Sequence, residues 1–281
     1  MGVKKVGVKI KKWVGCLLFS VCLMVSAGSS ATIPMKKIEF WDDSEPSSLI
    51  DLDHSAFENL LKKYVITDHP SGIARFNYTS VTQSDFEKLN EYLTYLQFME
   101  PRQLTKAEAK AFWINLYNAA TLNMVLQAFI DNGNVSKIMA RGLPARRWRR
   151  DIVTIAQQEM SLEDILNGVI RPLYKDPRVH YAIFFCALGG PDMPTEVLRG
   201  DNNDALLDAL EAQYLQQSRA ARIEGNELVL SEMFDNYDID FAPNQGALLN
   251  YLRDKVSAEV ATSIDSVSDV RFEYDLTVNA P

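Results

Sequence analysis

The segment "LTKAEAKAFWINLYNAATLNMVLQAFIDNG" (104–133) limits the fold more than any other stretch of the chain. Thr105 and Glu108 form a capping-box pattern at one end and Gly133 stands just past the other, which predicts a helix over about 105–130. Apolar residues occupy nearly every side of 111–130. A surface helix keeps a polar face, so one that is apolar all round has to be enclosed by other elements. Asn115, Asn118, Thr121, Asn123 and Gln127 make it too polar to span a membrane. Asn115 and Asn118 share a face at i, i+3. A buried amide is costly unless it is hydrogen-bonded, so both need partners.

The rest of the chain must supply the shell. Helical spacing of Phe57, Leu60, Leu61 and Tyr64 predicts a helix over 54–65, and "IARFNYTSV" (73–81) alternates as a short strand. Ser84 with Glu87 reads as a capping box for a further helix. "DIVTIA" (151–156) is strand-like, and Ser161 caps a helix to about Ile170. "VHYAIFFCALGGPDMP" (179–194) reads as a buried strand closed by a glycine-proline turn. Leu206, Leu207, Leu210 and Tyr214 mark an amphipathic helix, and "RIEGNELVL" (222–230) a hairpin turning at Gly225-Asn226. Residues 245–260 read as a helix and 270–278 as a half-buried strand. Helices and strands mix without a regular βαβ rhythm. The expected class is α+β: a central buried helix, several further helices, and a small mixed or antiparallel sheet.

The N-terminus has a different character. Lys4, Lys5, Lys9, Lys11 and Lys12 precede an apolar run from Trp13 to Ala27, and small residues follow. This is the pattern of a bacterial secretory signal peptide over 1–31, with cleavage near 27–31. The run is shorter than the ~20 residues of a spanning helix, although a retained anchor is the alternative. Residues 32–50, with Pro34, Pro46 and three serines, read as a leader into one globular domain over 51–281. Cys16 and Cys22 would leave with the signal, so Cys186 would be the single remaining thiol and no intrachain disulfide could form. Five of the 29 basic residues would leave too, deepening the formal charge from −8 to −13. So acidic a chain is a poor general binder of nucleic acid or anionic membrane.

"AFWINLYNAATLNMVL" (111–126), "SLEDI" (161–165), Arg171, "DPRVHYA" (176–182), "LSEMFDNYDIDF" (230–241) and "FEYDLTVN" (272–279) resemble, in order, the motifs of domain-of-unknown-function family 547. The family-like core covers about 104–241. The family's usual cysteine and histidine imply a cysteine-hydrolase-like site. This chain departs from that pattern: Leu166 replaces the acid that follows the isoleucine, and Gly190 stands at the place of the turn cysteine. Of an acid, a histidine and a thiol, the resemblance leaves His180. It also implies a polar centre in which Asn115, Tyr117, Asn118, Arg171, Tyr237 and Asp240 accompany His180.

Cys186 and His180 lie six residues apart. On an extended strand that is roughly 20 Å, too far for a nucleophile–base pair, and Cys186 reads as a core thiol. His54, His69 and His180 are scattered with no metal-ligand spacing, and "DNYDID" lacks the calcium-loop pattern, so neither a metal site nor a cofactor is implied. "RGLPARRWRR" places Arg146, Arg147 and Arg150 around Trp148, either as a solvated loop paired with the chain's own acids or as a patch for an anionic ligand. Two functional expectations remain open. One is an exported, periplasmic or secreted binding protein on an enzyme-like scaffold with a degenerate site. The other is a periplasmic hydrolase or transferase that uses His180. The expected partner is a small molecule, peptide or glycan; no nucleic acid is expected, and no integral membrane segment after signal removal.

Overall fold

The computed structural model describes residues 32–132 and 148–281. Helix α3, Lys106–Asn132, is the axis of the fold, and every residue from 111 to 120 is buried. Thr105 Oγ1 accepts from the Glu108 amide at 3.2 Å. The glutamate does not close the capping box. Its carboxylate instead accepts from Leu52 N at 3.1 Å and Gly200 N at 2.7 Å, tying two distant segments to the start of α3.

Helices α1 (Ser55–Tyr64) and α2 (Gln83–Gln97) pack on one side. The cap of α2 is Thr82, not Ser84: Thr82 Oγ1 accepts from Asp85 N at 3.2 Å. Thr82-Asp85 offers the same spacing one half-turn earlier, and Thr82 is the last residue in extended conformation. The strand expected over 73–81 shrinks to β2 (Arg75–Phe76), paired antiparallel with β1 (Val65–Ile66), because Tyr78–Ser80 already forms a 3-10 turn.

Strands β3 (Asp151–Ile155) and β4 (Gln158–Ser161) form a hairpin whose turn residues, Ala156 and Gln157, both have positive φ. Neither residue type signals such a turn. Ser161 and Asp164 cap each other through two bonds, Asp164 N to Ser161 Oγ at 3.1 Å and Ser161 N to Asp164 Oδ2 at 3.0 Å. A π-helical segment, Asp164–Ile170, then runs into α4 (Arg171–Tyr174).

The stretch 179–194 is not a strand. Val179–Ala182 form one helical turn, α5. Cys186 has φ +56°, and a lone bridge joins Ala187 to Val278. Asp176 starts the turn by accepting from Val179 N at 3.1 Å and, through Oδ1, from Arg178 N at 3.0 Å. A short buried apolar run carries no period that separates helix from strand.

Beyond α6 (Asn203–Leu215), β5 (Ala221–Glu224) and β6 (Glu227–Ser231) make the expected hairpin, with Gly225 at φ +62°. Short helices α7 (Met233–Asn236) and α8 (Asp238–Phe241) follow. The helix expected over 245–260 is two, α9 (Gln245–Arg253) and α10 (Ala258–Ser263), because Ser257 caps the second. Strand β7 (Asp269–Glu273) adds to β6 in parallel, giving the order β5-β6-β7. It ends before Tyr274: the chain leaves the sheet to bond Gly189 and Leu188, and Leu276 is 55% exposed.

The fold is α+β, a helical shell around α3 with sheets of two or three strands. The segment 32–50 takes part in it. Lys36 N and Ile38 N donate to Asn167 O and Gly168 O, and Trp41 is buried edge-on against Trp113, so the packed core begins before residue 51. Among the described residues no helix is long and apolar enough to cross a membrane.

Candidate functional site

Four residues from the predicted polar centre meet in one buried cluster. The π-segment and α4 deliver Arg171, α5 delivers His180, and the α7–α8 corner delivers Tyr237 and Asp240. Asp240 Oδ2 accepts from Arg171 Nε at 2.5 Å and lies 2.6 Å from His180 Nε2. Arg171 Nη1 also donates to Asn167 Oδ1 at 2.9 Å and Ile33 O at 3.0 Å. The Tyr237 ring stacks on the imidazole, centroids 4.4 Å apart, and lies 4.7 Å from the Arg171 guanidinium.

Burial holds the His180 pKa below its ordinary value, with the Asp240 bond opposing it. Burial would raise the Asp240 carboxyl, but the bonds from His180 and Arg171 outweigh it and hold it below the usual range. The cluster is therefore a carboxylate paired with a guanidinium beside a neutral imidazole. A carboxylate only accepts, so His180 carries its proton on Nε2 and its lone pair on Nδ1. Among the described residues no hydrogen-bond partner reaches Nδ1, and His180 is 1% exposed. An imidazole oriented by a carboxylate is a general-base arrangement. Here it is sealed from solvent.

The three helix-α3 residues serve different places. Asn118 clamps the end of α5, donating to Ala182 O at 2.7 Å and accepting from Phe184 N at 3.3 Å. Asn115 makes the same double bond to Leu198, at 2.7 and 3.3 Å. Tyr117 accepts from Trp148 Nε1 at 2.8 Å. Arg146 and Arg147 lie outside the described residues. Arg150 is exposed on a polar groove beside Asp131 and Asp151, away from the His180 cluster.

The expected acid and thiol positions are both filled. Leu166 is buried in the core. A Cβ on residue 190 would stand 2.6 Å from Tyr274 Oη, so the tyrosine hydroxyl occupies the space of a side chain there. Cys186 is 1% exposed, and burial pushes its thiol up to about 12. Burial makes it inert, as expected of a core thiol, although the strand expected to separate it from His180 does not form.

Sequence reasoning missed a cleft of about 290 Å³ beside the cluster. Its aromatic walls are Trp148, Phe185, Tyr237 and Tyr274. Ala187, Pro191, Met233 and Leu276 complete the apolar lining, with Glu232 and Asn236 as the polar members. Tyr237 belongs to both cleft and cluster; His180 does not line the cleft. The aromatic residues were visible in the sequence, but their convergence from four separate segments was not. Among the described residues no group of three His, Cys, Asp or Glu side chains is placed to hold a metal ion.

No curated protein and no solved structure matches this chain. A family model described as "Protein of unknown function, DUF547" matches residues 101–215, which hold α3, Arg171, His180 and Gly190 and stop before Tyr237 and Asp240. The match over residues 101–215 supports assignment of this region to the DUF547 family.

Proposed function

We propose that the chain is an exported binding protein whose ligand site is the aromatic cleft between Trp148, Phe185, Tyr237 and Tyr274. The observation that carries this reading is the pairing of an open apolar cleft with a sealed His180. Ligand sites are concave, mainly apolar and marked by few polar groups, and this cleft has that make-up. Its volume suits a small molecule or one side chain of a peptide. The basic, apolar N-terminal pattern supports export to the periplasm or beyond.

A hydrolase or transferase based on His180 is the competing reading, favoured by the 2.6 Å contact to Asp240. Catalysis would need the Nδ1 lone pair to reach a substrate, and the imidazole is enclosed. Titration with p-cresol, followed by amide chemical shifts, tests the choice. Saturable shifts at Ala187, Met233 and Leu276 that vanish in Trp148→Ala support the binding reading. Turnover of a peptide or glycan that is lost in His180→Gln overturns it.

A further inference from the structure

Resting on the cleft as the ligand site, we infer that its ligand is an alkylated ammonium compound, a small cation with its charge spread over methyl or methylene groups. Four aromatic rings line a space small enough for one such group. The faces of aromatic rings carry negative potential and attract a cation within about 6 Å of the ring centre. Glu232 is the charged member of the lining. It immediately precedes α7, yet its side chain caps no helix N–H, and no described side chain pairs with it in a hydrogen bond or ion pair. The other charged clusters nearby are internally matched: Glu273 meets Arg222 and Arg271, and Asp240 meets Arg171. Among the described residues Glu232 is therefore a carboxylate in an aromatic lining with no paired cation.

The scarcity of acceptors selects the kind of cation. A primary ammonium brings three N–H donors and a guanidinium five, and each donor left unpaired against apolar walls is costly. A quaternary ammonium brings none. Its methyl groups pack on Ala187, Pro191 and Met233 while its charge meets the rings and Glu232.

The test uses choline and its uncharged carbon isostere, 3,3-dimethyl-1-butanol, titrated into the purified protein by calorimetry. We expect choline to bind at least about tenfold more tightly than the isostere, from the cation–π and carboxylate attractions combined. In Glu232→Gln, choline affinity falls about tenfold while the isostere's is retained, showing an intact cleft. Equal affinity for both compounds overturns the cation assignment and leaves the cleft reading standing. Failure of both compounds together with p-cresol overturns the cleft reading itself. Binding to phosphatidylcholine vesicles with none to free choline overturns the assignment to a small soluble ligand.

Discussion

His54 should make this protein's stability fall with pH well before its carboxylates protonate. The side chain is fully enclosed at the start of α1, with Nδ1 2.6 Å from Tyr92 Oη and Nε2 4.0 Å from Glu108 Oε1. Burial, followed by the field of Arg199, drives its pKa from 6.5 down to about 4. The unfolded chain therefore takes up a proton near pH 6.5 that the folded chain refuses until about pH 4. Stability is complete above the unfolded value and is lost as pH falls toward the folded one. At 1.36 kcal/mol per unit, His54 alone removes about 2 kcal/mol by pH 5 and about 3 kcal/mol by pH 4. Asp53 and Glu58 oppose the shift, but burial and Arg199 outweigh them. Urea unfolding at pH 7 and pH 5 at constant ionic strength, in wild type and His54→Gln, isolates the term. His180, also held low by burial, contributes with the same sign in both proteins and cancels from the difference. The wild type should lose about 2 kcal/mol more than the variant over this interval. Parallel losses in the two proteins would refute the reasoning.

Other consequences of the cluster and cleft can be checked separately. Asp240→Asn leaves the Arg171 guanidinium buried without its countercharge and should cost about 3 kcal/mol in urea unfolding at pH 7; a loss below 1 kcal/mol would mean Arg171 is compensated by Asn167 and Ile33 O alone. Gly190→Ala drives a methyl into Tyr274 Oη and should cost about 1–3 kcal/mol, most of it recovered in the double variant with Tyr274→Phe; additive losses would show that the clash is elsewhere. Cys186 should resist a thiol reagent at pH 7 in the native protein and react promptly in urea, since its thiol is enclosed and pushed up to about 12. Prompt native labelling would overturn its placement in the core.

The central helix could be read directly. Its all-round apolarity required enclosure, its two asparagines required partners, and the structure supplies both: Asn115 holds Leu198 and Asn118 holds the α5 exit. The hairpin at Gly225 and the cap at Ser161 were equally legible, because turn and cap chemistry acts over two to four residues. Where local signals competed, position slipped: Thr82 displaced Ser84, and Ser257 divided one helix into two. Where the local signal was silent, the reading failed. The apolar run after His180 has no period long enough to identify, and packing under Asn118 made its beginning a helical turn instead of a strand.

Sequence by itself determined that α3 is enclosed, that the class is α+β, and that His180, Arg171 and Asp240 lie on a shared family-like pattern. Only the tertiary structure decided that Asp240, sixty residues from His180, is its acid partner at 2.6 Å. It also decided that Tyr274 fills the space at Gly190 and that four separate segments wall the cleft. Caps, turns and periodicity are set by neighbours along the chain, which the sequence displays. A site is set by which distant surfaces pack together, and that depends on the volume and satisfaction of the whole core at once.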